Sequence, residues 1–261
     1  MEVIIQKTAQ DAVNLTARIM ADALRFNPEM VFGLATGATM EAVYAELSRM
    51  YREEKLDFSN AKTFNLDEYI GLPAEDKNSY RYYMNKHLFN NINIKKTNTH
   101  LPNGMTDDIK GEGARYEAAI ASVGGIDLQL LGIGQDGHIG FNEPLSSLSS
   151  RTRDKGLAPQ TLAQNGIYFD PPESMPRRAF TMGVGTILDA RRLLMLVTGE
   201  RKAEILAKAV EGPVCSMISA SAIQFHNNVT VIVDEAAAKY LQGKDYYYWN
   251  FANEPAWEKY R

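Results

Sequence analysis

The 261-residue chain carries 28 Lys and Arg against 32 Asp and Glu, a formal net charge of -4, and 45% of its residues are hydrophobic. These values are ordinary for a globular protein and lack the basic excess that nucleic-acid-binding proteins normally show. No apolar run approaches the ~20 residues that span a bilayer, and the first residues do not resemble a signal peptide. We therefore expect one cytoplasmic domain over residues 1–261, with neither a nucleic-acid nor a membrane partner.

Hydrophobic patterning predicts strands that alternate with helices. A short strand at Val3-Ile4-Ile5 precedes a helix that Thr8 and Asp11 begin, and Ala12, Leu15 and Ile19 recur on one face of that helix. A buried strand at 30–35, an exit loop at 36–39 and a helix at 40–50 follow, and further strands are predicted at 61–65, 126–131, 193–197 and 229–233. This alternation predicts a Rossmann-like α/β fold, a mainly parallel open sheet with helices on both faces and functional residues at its carboxyl edge.

Two stretches depart from this pattern. Residues 145–178 are rich in serine and proline, and we interpret them as an irregular excursion that acts either as a lid or as a static surface insertion. The tail from 245 to 261 carries many large aromatic residues, for which docking on the chain's own domain is the simplest arrangement. The single cysteine, Cys215, excludes an intramolecular disulfide, and no nucleophile motif surrounds it.

The glycine-rich loop from Gly132 to Glu143 is the most informative feature of the chain. It follows an apolar strand and brings Asp136, His138 and Glu143 within eight residues. His138 suits proton transfer near neutral pH, and either carboxylate could orient the ring and stabilise its cation. The alternative is that the acids cap turns and His138 satisfies local backbone groups.

Two further sites follow predicted strands. Asp67 could move a proton between adjacent carbons of a sugar, although Asp67 or Glu68 could instead cap the next segment. Thr36, Gly37 and Thr39 at a helix start could bind an anion, and Lys202 could supply a cation or be an ordinary solvated lysine. Neither a P-loop nor a dinucleotide fingerprint is present in a convincing context, which argues against ATP and NAD chemistry.

Together these motifs resemble the glucosamine-6-phosphate deaminase family, also called glucosamine-6-phosphate isomerases. The resemblance runs from near residue 30 to near residue 235. The segments that carry it are 63–73, 131–144, 181–189 and 231–235.

The resemblance implies conversion of glucosamine 6-phosphate and water to fructose 6-phosphate and ammonia, without metal or organic cofactor. By that analogy His138 opens the pyranose ring, with Asp136 and Glu143 supporting it, and Asp67 moves a proton from C2 toward C1. Phosphate contacts carry over to a set of four residues: Thr36, Gly37, Thr39 and Lys202.

The chain departs from the family pattern near the implied phosphate site. Ala38 replaces a common glycine, Met40 stands where proline is common, and Ile167 occupies the approximate place of an arginine that often precedes two aromatics. Loss of a guanidinium weakens phosphate binding unless Arg177, Arg178 or another cation compensates.

Some hexameric members of the family are activated by N-acetylglucosamine 6-phosphate at a subunit interface. The residues that resemble that site are Ser146, Arg151, Arg153 and Lys155. They imply a homo-oligomer with an activator, or else a purely structural charged face. Alternative functions are a galactosamine-6-phosphate deaminase, a 6-phosphogluconolactonase and a non-catalytic sugar-phosphate sensor, and the complete ionisable cluster favours the deaminase.

Overall fold

The computed structural model, which describes residues 1–261, contains two sheets. The strands, in chain order, are β1 Glu2–Gln6, β2 Val31–Leu34, β3 Lys62–Asn65, β4 Asp67–Tyr69, β5 Thr99–His100, β6 Leu128–Leu131, β7 Arg153–Gly156, β8 Arg178–Thr181, β9 Leu193–Val197 and β10 Val229–Asp234. Seven of them form a parallel sheet in the order β1-β10-β9-β6-β2-β3-β5. The other three form a small antiparallel sheet in the order β4-β8-β7.

Helices flank the parallel sheet, as expected for strands that are buried on both faces. They are α1 Ala9–Phe26, α2 Ala38–Glu54, α3 Tyr80–Met84, α4 Ile109–Ser122, α5 Pro159–Gly166, α6 Val184–Leu188, α7 Ala203–Val210 and α8 Lys244–Asn253. Thr8 and Asp11 form the predicted capping box at the start of α1. One core cluster of 61 buried residues includes residues of both α1 and α2. The predicted mainly parallel α/β fold is confirmed.

The chain passes from the large sheet to the small one at Leu66. Its N–H donates to the carbonyl of Leu34 in β2 (3.0 Å), and its carbonyl accepts from the N–H of Met182, just after β8 (2.7 Å). Asp67 is the next residue and begins β4. The change of sheet therefore places Asp67 at the carboxyl edge of the parallel sheet.

Segment 145–178 contains more regular structure than its composition indicates. It holds β7 and α5, and β7 pairs with β8 of the small sheet. The sequence did not reveal β7, because its residues Arg-Asp-Lys-Gly show none of the apolar alternation that identifies a strand.

The aromatic tail docks on the domain through only some of its residues. Trp257 is buried, and Tyr247, Phe251 and Tyr260 pack against the main core. Tyr246 and Trp249 stack on each other but remain more than half exposed. No helix in the structure has both the length and the apolar character needed to cross a membrane.

Candidate active site

Four neighbouring strands of the parallel sheet, β9, β6, β2 and β3, end at a single cleft of about 850 Å³. Each strand is followed by one of the predicted functional segments, so sheet order brings together residues that are far apart in sequence. The predicted residues that line the cleft are Thr36, Gly37, Thr39, Asp67, His138 and Lys202. The acid at 67 and the imidazole at 138 therefore face a common cavity.

The loop after β6 folds back on itself around the His138 ring. The carbonyl of His138 accepts from the N–H of Gly134 (2.8 Å), and the N–H of His138 donates to the Asp136 carboxylate (3.2 Å). A Cβ at Gly134 would lie 2.5 Å from atoms of the imidazole, so only glycine leaves room for the ring there.

Asp136 and Glu143 lie behind the imidazole instead of lining the cleft. Nδ1 of His138 is 2.6 Å from Oδ1 of Asp136 and 3.7 Å from Oε2 of Glu143, and the side chains of all three are at most 15% exposed. The contact between His138 and Asp136 is short enough for an ion pair, but its angle does not meet the geometry of a hydrogen bond. Burial raises the pKa of Asp136, but the hydrogen bond and charge of His138 outweigh burial and leave that pKa below its usual value.

These three residues could offer a metal one ligand atom each, since the atoms lie within 4.8 Å of one another. Two ligands of one tetrahedral zinc ion, each about 2 Å from it, are separated by about 3.3 Å. The 2.6 Å between His138 and Asp136 is shorter than that separation and fits a direct ion pair between the two side chains better. The arrangement can therefore hold the imidazole by Nδ1 and orient its other nitrogen.

Asp67 and Glu68, which the sequence did not distinguish, have different surroundings. Glu68 accepts the N–H groups of Tyr69, Tyr80 and Arg81, each at 2.9 Å, and so holds the start of α3. Burial, together with the nearby charge of Glu68, raises the pKa of Asp67 to about 8. Glu68 is thus the capping residue, and Asp67 is the carboxyl group that faces the cleft.

The predicted anion-binding end of the cleft is the start of α2. Gly37 precedes this 17-residue helix with φ 118°, and no side chain caps its first N–H groups, which remain available to an anion. Lys202 reaches the other side of this end and donates to the carbonyl of Ile133 (2.7 Å). Burial lowers the pKa of Lys202, against the opposing charge of Asp136.

The cleft contains three cations that the sequence analysis did not select. They are Lys77, Lys86 and Arg201. Arg201 adjoins Lys202 in the chain, which was a usable signal, whereas the segment before α3 carried no motif. Of the cations that could compensate for the missing guanidinium at Ile167, Arg177 and Arg178 do not line the cleft, and Arg178 forms an ion pair with Asp154.

The basic cluster resembling an activator site lies outside the cleft. Arg151 is bound by Glu117 and Asp189, each at 2.6 Å, which is a structural role. Arg153 has no carboxylate partner and donates to the side-chain oxygen of Asn142 (2.9 Å). Ser146 is buried, and its hydroxyl has no hydrogen-bond partner, while Lys155 lies two residues beyond Arg153 on β7.

Comparisons with known proteins identify the relatives of this chain. A family model described as glucosamine-6-phosphate isomerases and 6-phosphogluconolactonase matches residues 5–232. A glucosamine-6-phosphate deaminase of Rhodococcus jostii is 45% identical over 260 residues, which cover 100% of both chains. One of Hahella chejuensis is 47% identical over 249 residues, 95% of each chain.

Solved structures of related proteins also resemble the structure of this chain. A structure described as a monomeric glucosamine-6-phosphate deaminase superposes with a TM-score of 0.90 at 45% identity, covering 92% of this chain and 99% of that one. A 6-phosphogluconolactonase from Trypanosoma cruzi reaches a TM-score of 0.73 at 19% identity, covering 92% and 97%, and that likeness concerns the fold alone.

Proposed function

The chain belongs to the family of glucosamine-6-phosphate isomerases and 6-phosphogluconolactonases, and from that premise we propose that it is an enzyme of amino-sugar catabolism. The proposed reaction converts glucosamine 6-phosphate and water to fructose 6-phosphate and ammonia. The observation that carries the proposal is the shared cleft: a buried acid and an orientated imidazole face the same cavity as the uncapped start of α2 and Lys202.

The first step is opening of the sugar ring. His138 accepts the proton of the C1 hydroxyl group and returns a proton to the ring oxygen, which gives the open-chain aldehyde. Asp136 supports this role because its carboxylate lies 2.6 Å from Nδ1 and favours the transient imidazolium. Glu143 is farther away and adds a second negative charge behind the ring.

Asp67 then performs the isomerisation. Its carboxylate removes the proton on C2 while one proton of the substrate's ammonium group passes to the C1 oxygen, which gives an enolamine. The protonated Asp67 then returns its proton to C1 as the C–N bond at C2 becomes an iminium. Water adds to that iminium carbon, and ammonia leaves to give the ketose. The raised pKa of Asp67, about 8, makes it a stronger base than an ordinary aspartate, and the substrate's ammonium group favours its ionised form.

Residues 36–39 and Lys202 bind the phosphate group in this proposal. We treat residues 1–261 as one sugar-phosphate domain, in which segment 145–178 covers the site: its residues 163–165 and 167–169 line the cleft. A cytoplasmic location follows from the proposed substrate, because a charged phosphate ester does not cross a bilayer unaided.

An activator site is a separate proposal. We propose that N-acetylglucosamine 6-phosphate binds Ser146, Arg153 and Lys155 in a homo-oligomer, because Arg153 is half-buried without an acidic partner and the Ser146 hydroxyl is unpaired. Unchanged kinetics in the presence of that ligand, together with a monomeric mass in solution, would refute it.

The reaction is tested with three substrates: glucosamine 6-phosphate, galactosamine 6-phosphate and 6-phosphogluconolactone. Ammonia and ketose phosphate are measured for the wild type and for Asp67→Asn. We expect equal amounts of ammonia and fructose 6-phosphate from glucosamine 6-phosphate, and loss of both in the variant. Release of ammonia only from the galacto epimer would reassign the substrate, and hydrolysis of the lactone without any ammonia would refute the deaminase.

A further inference from the structure

The phosphate end of the cleft has only one cation that is fixed in place. Lys202 is half-buried and already donates to the carbonyl of Ile133, so part of its hydrogen-bonding capacity is used within the protein. The start of α2 contributes the equivalent of about half a positive charge. A phosphate monoester carries about 1.5 to 2 negative charges at pH 7, so the ~1.5 positive charges of these two elements leave up to about half a negative charge without a partner.

Arg201 is the cleft-lining cation best suited to complete the neutralisation. It immediately precedes Lys202 in the turn Glu200–Lys202 that follows β9, and both residues line the cleft. Arg201 has no ion pair or side-chain hydrogen bond, whereas its neighbour Glu200 is paired with Lys239. Its guanidinium is therefore free to bind an anion through two parallel N–H groups.

The other two unassigned cations have less favourable surroundings. Lys86 adjoins His87, whose ring lies 3.9 Å from the Glu41 carboxylate, and Glu41 also lines the cleft. Lys86 itself is exposed and lacks the paired donors of a guanidinium. Lys77 precedes α3 and presents a single exposed ammonium group, which cannot bind two phosphate oxygens in one plane.

We infer that Arg201 binds the phosphate group of the substrate together with Lys202 and so supplies the guanidinium that is missing at Ile167. Ile167 lines the same cleft and is 72% exposed, so position 167 contributes an apolar side chain and no charge. The inference rests on the proposed function for the identity of the ligand, but the anion site itself can be measured without turnover.

The test compares phosphate binding in five proteins: the wild type, Arg201→Gln, Arg201→Lys, Lys86→Gln and Arg177→Gln. Arg177 is exposed and lies outside the cleft, so its variant controls for the loss of one positive charge. Calorimetric titration with inorganic phosphate is expected to show about tenfold weaker binding for Arg201→Gln and less than about twofold change for Arg177→Gln. The KM for glucosamine 6-phosphate should rise by a similar factor, with kcat changed less.

Arg201→Lys should lie between the wild type and Arg201→Gln, because it keeps the charge and loses the planar pair of donors. Unchanged phosphate affinity in Arg201→Gln, or an equal or larger loss in Lys86→Gln or Arg177→Gln, would overturn the assignment. Ammonia release by the wild type separates the two proposals: phosphate binding that depends on Arg201 without any deamination would refute the reaction and retain the anion site.

Discussion

Replacing Asp67 with asparagine should stabilise the protein while it abolishes the proposed activity. Asp67 is 6% exposed, and burial raises its pKa from an ordinary 3.8 to about 8. The folded state therefore holds a proton that the unfolded state releases above about pH 4. Stability falls as pH rises through this window, because the unfolded chain binds fewer protons than the folded one.

The size of the effect follows from the separation of the two pKa values. Between them, each pH unit costs the wild type about 1.4 kcal/mol of unfolding free energy. From pH 5 to pH 8 this amounts to about 4 kcal/mol, which is a large part of the ~5–15 kcal/mol that stabilises a typical domain. Asparagine at this position does not ionise, so the variant lacks this component of the pH dependence.

The assay is urea unfolding of both proteins at several pH values between 5 and 8. The stability of Asp67→Asn relative to the wild type should increase with pH, by about 3 to 4 kcal/mol across the range. Glu173→Gln is the matched control, because Glu173 is exposed and its replacement removes a carboxylate without changing a buried one. A constant difference between Asp67→Asn and the wild type would refute the claim that Asp67 is protonated in the folded protein.

Three other predictions concern the same cleft. Gly134→Ala should lower kcat by at least about tenfold, because its Cβ would lie 2.5 Å from the His138 ring; unchanged turnover would contradict this geometry. Glu68→Ala should cost about 2 to 3 kcal/mol in urea unfolding, since it leaves three N–H groups without their carboxylate, and a smaller loss than that of Asp11→Ala would argue against the capping role. For the wild type, kcat/KM should rise with pH until about pH 8, because only ionised Asp67 accepts a proton, and a profile that is flat from pH 6 to about pH 8 would exclude it as the base.

The sequence predicts the large sheet well because its strands are continuous apolar runs. The strand at 193–197 agrees with β9 to the residue, and the strand at 30–35 differs from β2 only at its ends. Since parallel strands present their carboxyl ends at one edge of the sheet, the position of the cleft can be predicted from the residues at which these apolar runs end. His138 and Lys202 could be assigned to it before any contact was known.

The small sheet was missed for a physical reason. β4 and β7 consist of Asp-Glu-Tyr and Arg-Asp-Lys-Gly, which are mostly charged residues. Hydrophobic and polar residues therefore do not alternate in them as they do in a recognisable strand. The different roles of Asp67 and Glu68 depend on how β4 meets the start of α3. Such a long-range contact leaves no trace in local composition.

The small sheet also binds the second half of the loop that carries His138. Its register places Asp67, Thr181 and Arg153 in one row across β4, β8 and β7. The Thr181 hydroxyl accepts the N–H of Phe141 (3.0 Å), and Arg153 donates to the side chain of Asn142 (2.9 Å). The row that contains Asp67 therefore also binds Phe141 and Asn142, the two residues before Glu143.

Segment 145–178 contributes a further contact to this loop. The N–H of Ala158, directly after β7, donates to Oε1 of Glu143 (3.0 Å), while Oε2 of the same carboxylate lies 3.7 Å from the His138 ring. A displacement of the segment that carries β7 would break this bond of Glu143 and the bond from Arg153 to Asn142. Asn142 would keep its bonds to the carbonyls of Ile139 and Met182. We propose that movement of this segment would shift Glu143 behind the imidazole, so that the support of His138 would depend on the position of the segment.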